Sequence, residues 1–564
     1  MKKFGSLILL ISLITIGTSE ACTNFLVTKG ASVDGSNMIT YAADAHVLYG
    51  ELYYRPAMDY PAGSMMDIIE WDTHKLLGQI KQVKHTYSVV GLMNEHQLTI
   101  GETTYGGRKE LSNFHSGIVD YGNLMFIALQ RAKTAREAIQ VMAGLFDEYG
   151  YYSSGESFSI SDKNEVWIME LIGKGEGQKG ALWVAMKIPD GYVCAHANQA
   201  RITTFDFQEK NDWFNEDQVV FHAPDVISFA REKGWFTGKD KDFSFSDIYA
   251  PVGFGGARFC EMRVWSFFKD VNKKMGKYAD YASGIIEHGK NDFAKNRMPL
   301  WIKPDYKLSA QDLMKFMRDH LEGTNWDMTK DLGAGPWELP YRWRPLTWEV
   351  DGVTFCNERA TATQQTGFSF VSQSRNWLPD PIGGIHWFGV DDANTTVYAP
   401  MYCGMSEVPF SYQVGNGDLL TFNWDAAFWV FNMVANWTYS RYSYIIKDVR
   451  LKQAAMENKY AELTPVIDEA AKALYKNNPE LAIDFITNYS VNTANNLVDD
   501  WRELGQFLFT KYIDGNIKKE KEGIFLRTET GYPVGPDQPG YPDWWLKKIV
   551  ESSSGKFEVK GSAH

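Results

Sequence analysis

The chain is poor in cysteine, with five in 564 residues: Cys22, Cys194, Cys260, Cys356 and Cys403. So few in so long a chain exclude a disulfide framework, and the odd count leaves at least one thiol unpaired. No CxxC or Cys/His spacing reads as a zinc site, and no metal or organic cofactor is expected. Cations are also in deficit, with 57 Lys and Arg against 70 Asp and Glu, for a net charge of -13. Such a surface argues against nucleic acid as a partner, which needs Lys and Arg to neutralise phosphates. Low-complexity tracts, internal repeats and Pro/Ser-rich linkers are absent, so nothing marks a clean domain boundary. Beyond the first residues no apolar run is long enough to span a membrane. Phe428–Val434 (FWVFNMV) is too short and reads as part of a buried helix.

Aromatics are plentiful, with 19 Trp, 29 Tyr and 33 Phe, which fits large cores with amphipathic rims. The start of the chain is more specific. Lys2 and Lys3 precede an apolar stretch from Leu7 to Ile16, and Ser19-Glu20-Ala21 puts small residues at -3 and -1. This is a secretory signal with a cleavage site after Ala21, so the mature protein is expected in the periplasm or outside the cell. Residues 1–21 carry a net charge of +1, which leaves the remainder near -14.

Cleavage there makes Cys22 the first residue. A thiol attacks an amide carbonyl as the thiolate and needs a base nearby. An N-terminal cysteine carries one in its own α-amine, whose unperturbed pKa of about 8 lies near working pH. A rival reading is a lipid-anchored envelope protein acylated at Cys22. Ser19 and Glu20 match that signature poorly, and acylation would block both the amine and the thiol.

The first half of the chain reads as hairpins. Cys22–Thr28 and Asn37–Ala42 flank Asp34-Gly35, and Thr86–Met93 and Gln97–Thr103 flank Asn94-Glu-His96. Ser157–Ser161 and Glu165–Leu171 flank Asp162-Lys-Asn164, and Leu182–Ile188 and Tyr192–Ala197 flank Pro189-Asp-Gly191. Helices are expected over Leu124–Ala132, after the capping box Thr134-Ala-Arg-Glu137, and over Ser309–Glu322. Further β-like pieces lie at Gly367–Ser372 and Thr395–Ala399, and Leu451–Tyr460, Pro465–Tyr475 and Asn492–Thr510 carry helical periodicity. Gly531–Trp545 reads as a surface loop. The pattern implies a layered α+β body.

Several stretches together resemble a known family. They are Cys22-Thr-Asn-Phe-Leu-Val-Thr28 through Asp44, Gly91-Leu-Met-Asn-Glu95 with Gly101-Glu-Thr-Thr104, and Ala195-His-Ala-Asn-Gln-Ala-Arg-Ile202. Arg263-Val-Trp265, Arg318-Asp-His-Leu-Glu-Gly-Thr324, Gln365-Thr-Gly-Phe-Ser369 and Gly383-Gly-Ile-His-Trp387 follow in order. The sequence resembles the N-terminal-nucleophile cysteine dipeptidases, relatives of choloylglycine hydrolase and penicillin V acylase. The resemblance implies a four-layer αββα sandwich over residues 22–450, with residues 451–564 as a helical extension packed on it. It implies a small peptide or other amide as substrate and leaves self-association open. It also implies Cys22 as nucleophile, Asp44 as the carboxylate orienting its amine, Asn94 as an oxyanion donor, and Asn198 and Arg263 lining the site. Asn94 on its own reads equally as a turn residue. Asp319 and Glu322 read as a solvated helix end. One departure is clear: where the family has Arg-x-Glu-Asp, this chain has Tyr41-Ala-Ala-Asp44, which removes a cation. His46 is a candidate to replace it. The departure keeps a second substrate class open, N-acyl amino acids or bile-salt-like conjugates.

Overall fold

The residues that follow the expected cleavage point form the centre of the protein. The computed structural model describes residues 22–561; the expected signal segment, residues 1–21, lies outside them. Strands Asn24–Val27 (β1) and Asn37–Asp44 (β2) are antiparallel neighbours. Every residue of β2 is buried, as its run of small, apolar and β-branched side chains requires of a strand covered on both faces. The turn between them passes through Gly35 at φ +84°, where a side chain would be strained.

The other long strands are Thr99–Tyr105 (β3), Gly155–Ser161 (β4), Val166–Gly173 (β5), Ala181–Lys187 (β6), Val193–His196 (β7), Thr366–Ser374 (β8), Gly384–Val390 (β9) and Ala399–Tyr402 (β10). One sheet runs Trp301–Ile302, β7, β1, β2, β8, β9, β10. The second runs Val220–His222, β6, β5, β4, β3, Met93–Asn94, Val89–Val90, Tyr54–Arg55. Both are antiparallel, and they face each other where β1 and β2 lie over β3 and β4. Helices Tyr121–Arg131 (α1) and Ala135–Tyr149 (α2) cover the second sheet. The first sheet is covered by Met262–Val271 (α3), Ala427–Ser440 (α4), Tyr442–Asn477 (α5) and Pro479–Tyr512 (α6). The result is the expected α+β sandwich of four layers.

The sheets meet closely at Gly101, where a Cβ would fall 2.8 Å from Asn24 Nδ2 and 3.2 Å from Tyr41 Cβ. His196 seals the same interface, with Nδ1 2.7 Å from Thr103 Oγ1 and Nε2 2.7 Å from Ser159 Oγ. Burial lowers its pKa to about 3, so the ring is neutral.

Several local expectations fail for identifiable reasons. Ala181–Lys187 and Val193–His196 do not pair as a hairpin; the turn carries the chain from the second sheet to the first. Thr86–Met93 breaks into short pieces around Gly91, whose φ is +58°. At the helix opened by Ser309 the capping box forms, but the helix ends at Phe316, and Leu321 turns the chain at φ +65°. Asp319 is not solvated: burial raises its pKa to about 7. The expected breaks around Pro465 are absent, because α5 runs unbroken through it. Proline removes one N–H donor, and packing along α6 outweighs that loss. The same helix runs continuously across 450/451. Cys194, Cys260, Cys356 and Cys403 form no disulfide. Among the described residues no helix is long and apolar enough to cross a membrane, and no cluster of His, Cys, Asp and Glu could hold a metal.

Candidate active site

Cys22 lies two residues before the start of β1, and Thr23 pairs across to Ala42 of β2. Its side chain is 3% exposed and reaches the floor of a cavity of about 660 Å³. Asp44, Tyr41 and Glu102 line the same cavity, with aromatic walls from Tyr53, Trp71, Tyr121 and Phe126. Strand geometry explains the convergence. Adjacent antiparallel strands place residues opposite one another, and alternation turns Tyr41 and Glu102 toward the space between the sheets.

One flank of the cysteine is cationic. Arg263 enters α3 from a π-helical turn over Gly256–Glu261 and is 1% exposed. Its Nη1 donates to the Cys22 carbonyl at 2.6 Å and to Thr23 Oγ1 at 2.8 Å. Its Nη2 donates to Asn198 Oδ1 at 2.9 Å, and Nε to the Phe259 carbonyl at 2.8 Å. Burial and the nearby Arg359 pull its pKa down to about 10, which still leaves it charged at neutral pH. Asn198 follows β7 at φ +55°, an uncommon conformation for a residue with a side chain, and its Nδ2 donates to the Thr104 carbonyl at 2.6 Å.

Asp44 ends β2. Arg359 Nη2 donates to its Oδ2 at 2.6 Å and Thr366 Oγ1 to its Oδ1 at 2.6 Å. Burial raises the carboxyl pKa, and Arg359 and Thr366 oppose that shift. The guanidinium beside Asp44 thus comes from Arg359, distant in sequence, and the cation missing at position 41 is not restored there. His46 does not replace it: burial and the charges of Arg344 and Arg359 lower its pKa.

The other flank is acidic. Cys22 Sγ lies 3.5 Å from Glu102 Oε1 and 3.7 Å from the Tyr41 hydroxyl, and that hydroxyl donates to Glu102 Oε1. Burial raises Glu102 from 4.5 to about 7, against hydrogen bonds to Tyr41 and Glu156. Tyr41 is pushed well above its ordinary 10 by burial and by the adjoining Cys22 and Glu102. The phenol therefore stays protonated and acts as a donor.

Asn94 is not brought to this site. Its Nδ2 donates to the Leu129 and Ala132 carbonyls at 2.7 and 2.8 Å. Its Oδ1 accepts from the backbone N–H of His96 and Leu98 at 3.0 and 3.1 Å. All four hydrogen-bonding positions of the amide are occupied in tying the turn to the end of α1. Of the five residues anticipated, Cys22, Asp44, Asn198 and Arg263 converge and Asn94 does not. Glu102 was within reach of sequence reasoning, since it sits inside the Gly101-Glu-Thr-Thr104 motif on an alternating strand. Arg359 carried no such signal, because it comes from a loop 315 positions beyond its partner.

Residues 21–455 match the model of Peptidase family C69. The chain belongs to this family. As a C69 peptidase it is a hydrolase of peptide bonds. Curated relatives agree with that placement at low identity. A "Probable dipeptidase" of Latilactobacillus sakei is 23% identical over 523 residues, covering 88% of this chain and 98% of that protein. A "Probable dipeptidase" of Salmonella dublin is 23% identical over 435 residues, covering 74% and 87%. A "Probable dipeptidase B" of Lactococcus lactis subsp. lactis is 21% identical over 496 residues, covering 82% and 94%. The matched span in this C69 peptidase ends inside α5, so it takes in every residue of the Cys22 cavity floor.

Proposed function

We propose that the protein is a secreted dipeptidase whose nucleophile is Cys22, uncovered as an N-terminal residue by cleavage after Ala21. The observation that carries this reading is the position of Cys22. Its thiol lies on the floor of a cavity while its own carbonyl is held by the buried fork of Arg263. A clamp on the backbone fixes where the sulfur points, which is the geometric requirement for attack.

In this reading the α-amine takes the thiol proton, and the thiolate attacks the scissile carbonyl carbon. The tetrahedral intermediate collapses as the C–N bond breaks, and the ammonium of Cys22 returns the proton to the leaving amine. A thioester on Cys22 remains. Water, deprotonated by the same amine, attacks it and releases the acid and the free thiol. Asp44, held between Arg359 and Thr366, orients the amine. Arg263 and Asn198 fix the strand that carries the nucleophile. The dipeptide class follows the names of the relatives. The cavity wall carries Glu51, Asp67, Glu70, Asp72 and Asp418 beside Arg55 and His74, an acidic balance that suits a substrate with a free ammonium better than the N-acyl amino acids and bile-salt conjugates of the alternative reading, which have none.

The test is Cys22→Ala with the cleavage site kept, assayed on a dipeptide panel beside acyl-amide substrates. Loss of activity by about 10³-fold or more is expected. Full activity in the variant, or hydrolysis of the acyl amides alone, would contradict the reading.

A further inference from the structure

Glu102 has features that holding the fold together does not explain. It is 1% exposed, lines the cavity, and faces Cys22 Sγ directly. Among the described residues no Lys, Arg or His forms an ion pair with it. Its neighbours are a phenol, a thiol and a second carboxyl, Glu156, which Thr104 Oγ1 holds at 2.8 Å. A carboxylate buried without a cation is costly. Asp44, the carboxyl on the other side of Cys22, is treated differently, since it has Arg359.

The dimensions of a dipeptide bear on this. Its α-nitrogen and scissile carbonyl carbon share one Cα, which places them about 2.5 Å apart. At the point of attack that carbon stands about 3–3.5 Å from the sulfur. The ammonium therefore falls within about 6 Å of Sγ, in the shell that Glu102 Oε1 occupies at 3.5 Å. An ammonium at ordinary charge-assisted hydrogen-bond distance from Glu102 closes the set of distances without strain.

We propose that Glu102 receives the free α-ammonium of the substrate and so makes an unblocked N-terminus the condition for hydrolysis at Cys22. The assignment rests on Cys22 being the nucleophile of a dipeptidase. Tyr41 fixes the carboxylate by donating to Oε1. Glu156, hydrogen-bonded to Glu102, lets the pair share a proton when no ammonium is bound. The wall carboxylates Glu51 and Asp72 extend the same sign outward along the cavity. An amide-capped N-terminus brings no charge and leaves the buried carboxyl uncompensated. The site thus separates free dipeptides from N-acylated ones by electrostatics, without excluding them by size.

The experiment compares alanyl-alanine with N-acetyl-alanyl-alanine, using the mature wild type and Glu102→Gln, between pH 5.5 and 8.5. Wild type is expected to favour the free dipeptide by at least about 10²-fold in kcat/KM. In Glu102→Gln the free dipeptide loses about that factor, mainly through KM. The acetylated substrate changes by less than about threefold, so the preference disappears. In wild type the ratio of kcat/KM for the free dipeptide to that for the acetylated one falls as pH drops through about 7, where Glu102 takes a proton; in the variant that ratio does not change with pH. Glu102→Asp, which keeps the carboxylate, guards against a folding defect and is expected to retain the preference at a lower rate. A Glu102→Gln enzyme that still discriminates, or a Glu102→Asp enzyme that does not, overturns the assignment alone. A wild type inactive on both substrates overturns the Cys22 reading as well.

Discussion

On one flank of Cys22, Arg263 and Arg359 bring two buried guanidinium groups to bear on the cysteine's carbonyl and on Asp44. On the other, Tyr41, Glu102 and Glu156 bring a phenol and two carboxyls, with no cation ion-paired to Glu102 among the described residues. The first flank is closed by hydrogen bonds, with Arg263 held by carbonyl, hydroxyl and amide oxygens and Arg359 ion-paired to Asp44. The second is open, and its charge balance is completed by whatever enters the cavity. In the proposed mechanism the first side builds the nucleophile and the second selects what it attacks. The substitution of Tyr41 for the family's arginine falls on the open side. It alters the partner of Glu102 and leaves the clamp on Cys22 intact.

The two flanks can be separated by measurement. Arg263→Lys keeps the charge and removes the planar fork, so the carbonyl and hydroxyl contacts cannot all be made. A fall in kcat of about 10²–10³-fold is expected, with alanyl-alanine and its acetylated form affected equally. An effect confined to one substrate would blur the distinction between flanks. Asp44→Asn leaves Arg359 buried without its counter-charge and removes the carboxylate assigned to the amine. Kinetics should show a loss of about 10²-fold, and thermal unfolding a stability loss of about 3–5 kcal/mol. Unchanged kcat with lowered stability would reduce Asp44 to a structural partner of Arg359.

The open flank also predicts a pH dependence of stability. Glu102 and Glu170 are raised to about 7, and Asp391 to about 8, chiefly by burial. A carboxyl with a raised folded pKa binds more protons folded than unfolded, so its contribution is full below the unfolded value near 4–4.5. It is lost as pH rises through the folded value. The melting temperature should therefore fall as pH rises from about 6.5 to 8, above the range in which the buried neutral His196 and His386 add stability with rising pH. In Glu102→Gln part of that slope should vanish; a curve as steep as the wild type's would assign the dependence to the other carboxyls. The smallest effect on catalysis is expected at Asn94→Ala. It should cost about 1–3 kcal/mol of stability, since it leaves the backbone groups tied by the amide without a partner, and change kcat by less than about twofold. A large loss of kcat at unchanged stability would restore Asn94 to the reaction.

The legible and illegible parts of this molecule follow the range of the interactions involved. Capping at Thr134 and Ser309, the turn at Gly35 and the alternation of β2 are local, and sequence shows them directly. The crossing at Pro189-Asp-Gly191 looked like a hairpin because a turn signal does not say which sheet the next strand joins. Pro465 looked like a break because local propensity ignores the neighbouring helix. At the site, Cys22 stood out by its place behind the expected cleavage signal, and it lines the cavity. Asn94 was misplaced because a turn asparagine and an oxyanion donor leave the same mark in sequence. Arg359 was invisible, since only the folded pairing of β2 with β8 brings its loop to Asp44.

The central claim is that Cys22 is both the first residue of the mature enzyme and its nucleophile. Intact mass and N-terminal sequencing of the secreted protein, before and after incubation with one equivalent of a thiol-reactive dipeptide analogue, test both parts at once. The account predicts a chain that begins at Cys22 with a free amine and gains a single adduct on that residue. A chain beginning elsewhere, a lipid-modified Cys22, or an adduct on Cys194, Cys260, Cys356 or Cys403 in its place would contradict it.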